Sequence, residues 1–186
     1  MSNYDLQQLL KEEIGNSAKD LVTRPTGQAV RARIELALEQ EPDGAVVSLD
    51  LSKVGVVDYS CADEIIAKLM SRLLSGEYGE KYLLLVGLNE NQKENIEVAI
   101  ERKDLAITAE LRDGTRAVLG TLNNYLRDTL DFIISKGKAT AKDLADAKKI
   151  EANTSGTRLL NLYKKRLVRR VEEIRSDGKV WSYEAL

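Results

Sequence analysis

The chain has 186 residues, of which 43% are hydrophobic and 31% are charged, the balance that is typical of a globular protein. It contains no histidine and one cysteine, which excludes Ser-His-Asp and Cys-His catalysis, histidine-containing metal sites, multi-thiolate zinc sites and an internal disulfide. The phosphate-binding motifs Walker A and G-x-G-x-x-G are absent as well, so we expect no enzymatic activity, no metal and no cofactor.

Charge is distributed unevenly along the chain. Residues 1–119 carry 14 Lys and Arg against 21 Asp and Glu, a net charge of −7, whereas residues 120–186 carry 14 against 9, a net charge of +5. Because the residue pattern changes at the same place, we expect a domain boundary at Gly120, with domains at 1–119 and 120–186. A basic C-terminal third predicts an anionic partner, although a basic surface without a partner would have the same composition.

The sequence shows neither a membrane segment nor a secretory leader. No apolar run approaches the roughly 18 residues that suggest a membrane span, and the first residues, MSNYDLQQLLKEEIG, have no basic stretch followed by an apolar core. A single cysteine fits a reducing compartment. We therefore expect a cytoplasmic protein with no membrane partner.

The first forty residues predict two helices separated by a short strand. Residues 4–14 place apolar side chains on one side of a helix, which either packs on the domain or mediates homodimer contacts. A strand is predicted around Leu21 and Val22. Residues 24–27, Arg-Pro-Thr-Gly, are typical of a turn, and residues 28–40 form the second predicted helix.

A strand, a short loop and an amphipathic helix follow. Residues 45–51 are apolar and β-branched, as in a buried strand, and residues 62–74 place apolar side chains at helical spacing. The loop brings residues 58–61, Asp-Tyr-Ser-Cys, to the start of the helix, where free N–H groups and the helix dipole favour an anion. Ser60 with Asp63 three residues later also fits a helix N-cap.

The side chains around Ser60 offer little chemistry of their own. Asp63 and Glu64 are adjacent on a helix and point in different directions, so we expect a solvated surface or local capping rather than an acid–base pair. Cys61 at a helix N-terminus could have a lowered pKa, but with no histidine beside it we expect a small buried residue.

The segment LDLSKVGVVDYSCADEI resembles the core motif of the STAS-like domain family, relatives of the sulfate-transporter and anti-sigma-antagonist domain. In STAS domains the motif after this strand is Asp-Ser-Ser-Gly, and a partner kinase can phosphorylate its second Ser or Thr. The resemblance covers roughly residues 17–120 and implies that Ser60 is a regulatory phosphorylation candidate. Tyr59 and Cys61 depart from the motif, because they stand in place of its first Ser and its Gly. A plain helix cap at Ser60 remains the alternative.

The rest of the first domain completes an α/β pattern. Its predicted elements are a buried strand at 81–86, a helix at 92–102 and strands at 105–111 and 115–119. The segment that begins at Asn89 caps the helix, and a hairpin at Asp113 and Gly114 joins the last two strands. Strands that alternate with helices predict a small α/β sheet.

Residues 120–186 predict three helices and a hairpin. The elements are helices at 121–135, at 141–147 and from 154 to 165 or 166, then strands at 167–174 and 179–183 joined by Ser176-Asp177-Gly178. Gly137 predicts the end of the first of these helices. Thr140 predicts the N-cap of the second, with Asp143 at the capping-box position.

This order of a helix, a short helix, a turn, a longer helix and a hairpin resembles the winged helix-turn-helix fold. The matching residues are TAKDLADAKKIEANTSGTRLLNLYKKRLVRR and the hairpin after them, called the wing, and the resemblance covers residues 120–186. A glycine usually precedes the Leu-Val of the wing. Arg166 stands there in this chain, so we expect a different turn. The predicted fold class is an α/β STAS-like domain followed by a winged helix-turn-helix domain.

The second resemblance implies that residues 154–166 form a recognition helix, the helix that enters the major groove of DNA. Leu159, Leu162 and Tyr163 would face the core and leave polar and basic side chains outward for phosphates and base edges. The candidate DNA-binding residues are Ser155, Thr157, Arg158, Asn161, Lys164 and Lys165 on the helix and Arg169, Arg170, Arg175 and Lys179 on the wing.

These patterns together favour a non-enzymatic cytoplasmic regulator of transcription. Its first domain would receive a signal through a partner protein, such as a kinase or an anti-sigma-like factor, and its second domain would bind duplex DNA. The alternative is an adaptor similar to the anti-sigma-factor antagonists, switched at Ser60, in which the winged helix binds protein.

Overall fold

The computed structural model describes residues 2–175 and 178–186, and the chain divides into two compact units, Met1–Thr121 and Leu122–Leu186. The first unit has a mostly parallel sheet with helices, and the second has helices with a small antiparallel sheet. Within the described ranges, no helix has both the length and the apolar character needed to cross a membrane.

The first unit is built on a five-stranded sheet. Its strands, which have the same order in space as in the chain, are β1 (Ser2–Asp5), β2 (Val46–Asp50), β3 (Tyr82–Leu88), β4 (Ala106–Leu111) and β5 (Arg116–Gly120). Strands β1 to β4 are parallel, and β5 returns antiparallel to β4 through the predicted hairpin. The α/β sheet that the alternating pattern predicts is therefore confirmed.

The helices of this unit connect the parallel strands, which cannot be joined by tight turns. They are α1 (Leu6–Ile14), α2 (Arg24–Gln40), α3 (Tyr59–Cys61), a π-helical segment (Ala62–Ala67), α4 (Lys68–Leu74) and α5 (Glu90–Glu101). Because α3, the π-helical segment and α4 are continuous, residues 59–74 are called the central helix below. Buried side chains such as Ile34, Leu49 and Leu69 join helices and sheet in one apolar core.

The start of the chain differs from the prediction of a helix from residue 4. Tyr4 belongs to β1 and pairs with Leu49 of β2 in a parallel register. The helix begins only at Leu6, because the carboxylate of Asp5 accepts hydrogen bonds from the N–H groups of Gln7 and Gln8 and caps it there.

The predicted turn at residues 24–27 is also wrong. Those residues are the first turn of α2, where Pro25 is tolerated because its missing N–H would have no partner in the helix. The strand predicted just before it is reduced to a single bridge between Leu21 and Val57.

The second unit begins with a helix and ends with a hairpin. Its elements are α6 (Asn124–Lys136), β6 (Lys138–Thr140), α7 (Ala141–Lys148), α8 (Ala152–Lys164), β7 (Val168–Arg175) and β8 (Gly178–Ala185). The three strands form an antiparallel sheet in the order β6, β8, β7. The sequence did not predict β6, because three residues are too few for an alternating pattern. Of the predicted turn, Ser176 and Asp177 lie outside the described residues.

Both helix boundaries around β6 follow the predicted capping residues. Gly137 ends α6 with a φ of 76°, a conformation that favours glycine. The side chain of Thr140 accepts a hydrogen bond from the N–H of Asp143, whose carboxylate accepts one from the N–H of Thr140. The predicted C-cap and capping box are confirmed.

The prediction of a different turn at Arg166, after α8, is wrong. Arg166 has a φ of 59°, the left-handed conformation in which glycine is usual. Its N–H donates to the carbonyl of Tyr163 at 2.9 Å, and the N–H of Leu167 donates to the carbonyl of Leu162 at 3.1 Å. This hydrogen-bond pattern is that of a Schellman motif, so the arginine itself adopts the conformation that a glycine would favour.

Candidate functional site

The loop between β2 and the central helix is held from two sides. Gln92 of α5 is buried, and its side-chain amide donates to the carbonyls of Val54 at 2.9 Å and Gly55 at 3.1 Å. Arg112, which follows β4, donates to the carbonyl of Ser52 at 2.9 Å. These bonds satisfy loop carbonyls and fix where the loop delivers residues 58–61.

Asp58, not Ser60, caps the central helix. One carboxylate oxygen of Asp58 accepts the N–H of Cys61 at 2.7 Å, and the other accepts the N–H of Thr23, just before α2, at 2.9 Å. The prediction that Ser60 is the N-cap is therefore wrong, because an aspartate two residues earlier supplies the acceptor. Ser60 lies inside the first turn, half-buried, and within the described part of the chain its hydroxyl makes no hydrogen bond.

Thr23 completes the junction between the starts of the two helices. It has a φ of 73°, which is uncommon for a β-branched residue and is held here by contacts on both sides. Its N–H donates to Asp58, and its carbonyl accepts the thiol of Cys61 at 3.1 Å. Gly27 allows this close approach, because a Cβ there would meet the Cβ of Glu64 at 2.8 Å.

Cys61 is a small buried residue, as predicted. Burial, followed by the nearby carboxylate of Asp58, raises the pKa of its thiol to about 12. The thiol therefore stays protonated at neutral pH and is a poor nucleophile.

Asp63 and Glu64 are buried in a cluster of ion pairs, so the prediction of a solvated surface is wrong. A single nitrogen of Arg24 lies 3.1 Å from Asp63 and 2.5 Å from Glu64. Lys103 lies 2.9 Å from Asp63. Glu64 also pairs with Lys68, one turn later in the central helix, and with Arg31 of α2 at 3.5 Å. Cations from three neighbouring segments outweigh the cost of burying these carboxylates.

Both carboxyls of this cluster stay ionised. Burial favours the protonated form of Asp63, but the hydrogen bonds from Lys103 and Arg24 outweigh burial and hold its pKa below the usual range. The pKa of Glu64 is lowered in the same way, against burial, by Lys68 and Arg24. Neither carboxyl can serve as a general acid near neutral pH, and the cluster joins helices instead.

Ser155 is the one predicted DNA-binding residue on α8 that the structure places inside. It is fully buried, and its hydroxyl donates to the carbonyl of Ala141 at the start of α7. Ser155 lies four residues before Leu159 and seven before Leu162, so it shares their inward stripe. The prediction that Ser155 faces outward is wrong for this reason.

The other candidates on α8 are at least partly accessible. Thr157 and Lys164 are exposed, whereas Arg158, Asn161 and Lys165 are half-buried. The guanidinium of Arg158 lies over the ring of Tyr125 of α6, 5.3 Å from its centroid. The side chains that line a shallow cavity of about 390 Å³ on this side of the unit are Tyr125, Asn153, Thr154, Thr157, Arg158 and Asn161.

The basic residues of the wing are partly neutralised. Arg169 pairs with Glu184 at 2.8 Å, and Lys179 pairs with Glu172 at 3.1 Å. Arg170 lies over the ring of Trp181, 3.8 Å from its centroid. The side chain of Arg175 lies outside the described part of the chain. Among the described side chains, positive charge is therefore concentrated on α8 more than on the wing.

Comparison with known proteins assigns no family. No model of a known protein family matches the chain, and no curated protein matches it significantly.

Sequence reasoning missed Tyr125, Asn153 and Thr154 as members of the α8 surface. Asn153 lies outside the helix predicted from residue 154, because α8 begins two residues earlier than predicted. Tyr125 carries a usable signal, since it is an aromatic residue on the outward side of a helix whose inward residues are Leu126, Leu130 and Ile133. Its contact with Arg158 joins two helices and leaves no trace in the spacing of either one.

Proposed function

We propose that the chain is a non-enzymatic regulator of transcription that binds duplex DNA through the outward side of α8. The observation that carries this proposal is the composition of that surface. Residues 152–166 contain four basic residues and no acidic one, and Thr, Asn, Arg and Lys occupy most of the outward positions. These side chains donate to phosphates and base edges in the major groove.

The topology of the second unit supports a winged helix-turn-helix domain. A helix, a strand, two helices and two strands follow one another, and the last strand lies between the other two in the sheet. In such a domain α8 is the recognition helix and the β7–β8 hairpin is the wing. The net charge of +5 from Gly120 onward also favours a polyanionic partner.

The first unit acts in this proposal as a STAS-like domain that receives a signal from a partner protein. Its support is the parallel sheet followed by a loop and helix at residues 51–61, the place where the sequence resemblance is strongest. The helix start is satisfied by Asp58, which leaves the hydroxyl of Ser60 free for modification.

The free hydroxyl of Ser60 also favours a second candidate function. The chain would then be an adaptor similar to the anti-sigma-factor antagonists, switched at Ser60, and its second unit would bind protein instead of DNA. In that case Ser60→Asp changes the capture of partner proteins, while duplex DNA binds neither form of the chain.

The DNA-binding proposal is tested with a pool of duplexes of random sequence across a salt series. We expect the wild-type chain to bind, and we expect the double variant Arg158→Ala/Lys165→Ala to bind more weakly, with a shallower dependence on salt because fewer counterions are released. The matched control, Lys136→Ala/Lys148→Ala, removes the same charge from α6 and α7. Absence of wild-type binding, or equal losses in the two double variants, contradicts the proposal.

A further inference from the structure

Tyr125 is an aromatic residue that lies largely outside the core of the second unit. It lies in the first turn of α6, and 51% of its surface is exposed. The apolar residues that anchor this helix in the core are Leu126, Leu130 and Ile133, which are buried. An exposed tyrosine by itself does not indicate a function, so the role of Tyr125 is inferred from the residues that it contacts.

The neighbour that matters is Arg158 of α8. Its guanidinium carbon lies 5.3 Å from the centroid of the Tyr125 ring, within the range of a cation–π interaction. An arginine side chain on a helix surface has many rotamers, and holding it in one of them costs conformational entropy when a ligand binds. The ring of Tyr125 restricts Arg158 before any ligand is present.

The pair also lies inside the candidate DNA-binding surface. Tyr125 and Arg158 line the same shallow cavity as Thr157 and Asn161, two of the outward residues of α8. α6 therefore contributes to a surface that the sequence assigned to α8 and the wing alone.

We propose that Tyr125 is a positioning residue for base recognition: it holds the guanidinium of Arg158 in the orientation in which Arg158 donates to a guanine in duplex DNA. Arginine donates in a bidentate manner to the O6 and N7 atoms of guanine, and this contact depends on the orientation of the guanidinium plane. The inference rests on the proposed DNA-binding function and adds that α6 takes part in sequence discrimination.

The test starts from a duplex selected by the wild-type chain out of a random pool. The binding of this duplex is compared with that of copies in which each G·C pair is replaced in turn. When the G·C pair that Arg158 contacts is replaced, we expect the affinity of the wild-type chain to fall by roughly 5- to 150-fold, the range of a lost bidentate contact. Arg158→Ala abolishes this discrimination, and Tyr125→Leu weakens binding of the selected duplex by roughly 2- to 5-fold, the range of an exposed cation–π interaction. Tyr125→Phe keeps the ring and restores wild-type behaviour.

A double-mutant cycle separates positioning from a general effect on binding. If Tyr125 acts through Arg158, then Tyr125→Leu causes no further loss in an Arg158→Ala background. The matched control is Phe132→Leu, which removes the ring of another cation–π pair on α6, the one with Lys136, and leaves discrimination unchanged.

The outcomes distinguish this inference from the function on which it rests. Additive losses in the cycle, or a Tyr125→Leu variant with wild-type discrimination, overturn the inference and leave DNA binding intact. A wild-type chain that binds no duplex overturns both. Because Tyr125 is half-exposed, thermal melting of Tyr125→Leu close to that of the wild type shows that the variants are compared in the folded state.

Discussion

Asp58 and Ser60 lie two residues apart, but they contribute differently to the free energy of unfolding. Asp58 accepts backbone N–H groups at the starts of two helices, whereas Ser60 accepts none within the described residues. We expect Asp58→Ala to lower the free energy of unfolding by about 1–2 kcal/mol and Ser60→Ala to lower it by less than about 0.5 kcal/mol. Urea denaturation measures both values, and a larger loss for Ser60→Ala contradicts the assignment of the cap.

The rate at which Cys61 reacts with a thiol reagent measures how often the junction between α2 and the central helix opens. Its thiol is buried, donates to the carbonyl of Thr23, and has a pKa raised to about 12. We expect a water-soluble disulfide reagent at pH 8 to label Cys61 only as fast as the first unit opens, and within seconds in urea. Rapid stoichiometric labelling of the folded chain contradicts this prediction.

Single residues were predictable from the sequence where their role is local. Gly137 and the pair of Thr140 and Asp143 act within their own helix ends, so the spacing of residue types was sufficient to identify them. Ser155 was misassigned because residue type was weighed above spacing: it lies four residues before Leu159 and seven before Leu162, on the inward stripe of the helix. Tyr125 was missed because its role depends on a contact with another helix.

The ion-pair cluster of Asp63 and Glu64 makes the stability of the first unit sensitive to acid. Both carboxyls have a lower pKa in the folded chain than in the unfolded chain, where carboxyl pKa values are about 4. Their contribution is therefore complete above the unfolded pKa and is lost as the pH falls through the folded pKa. We expect the free energy of unfolding to fall steadily below about pH 4, and urea titrations between pH 7 and pH 3 measure it.

Glu64 is the more deeply buried member of the cluster, and its removal tests the cluster directly. We expect Glu64→Gln to lower the free energy of unfolding at pH 7 by about 3 kcal/mol, because it leaves buried cations without their charge partner. The same variant should lose part of the acid-dependent fall in stability. The control is Glu12→Gln, which breaks an exposed pair with Arg33 and should cost less than about 0.5 kcal/mol. Similar losses in the two variants contradict this account.

Elements with clear periodicity were predictable, and elements that depend on a neighbour were not. β3 and α5 have long apolar patterns, and the observed boundaries lie within two residues of the predicted ones. β1 and β6 have four and three residues, and they are strands only because β2 and β8 lie beside them. The burial of Asp63 and Glu64 was not predictable from the central helix alone, because their partners other than Lys68, such as Arg24 and Lys103, are far away in the sequence.

At the scale of the whole molecule, each unit has its own core and its own residue through which its unfolding can be followed. Cys61 lies in the first unit and Trp181, the chain's single tryptophan, lies in the second. The first unit is acidic and the second is basic in sequence. An anionic partner would therefore be attracted to the second unit more than to the first. The sequence predicts a boundary at Gly120, where charge and residue pattern change together, and the compact units divide after Thr121.

We expect the fragment Leu122–Leu186 to fold by itself and to keep the DNA affinity of the full chain within about 2-fold. The buried residues Leu130, Leu144 and Leu159 join its helices, and its sheet is formed entirely by its own strands. Domains of about 65 residues can fold alone when they have a core of this kind. Far-UV circular dichroism and Trp181 fluorescence in urea should show one cooperative transition, and titration with the selected duplex gives the affinity. A fragment that is unfolded under conditions in which the full chain is folded would show that the second unit depends on the first. A folded fragment without DNA affinity would place the binding surface elsewhere than on α8.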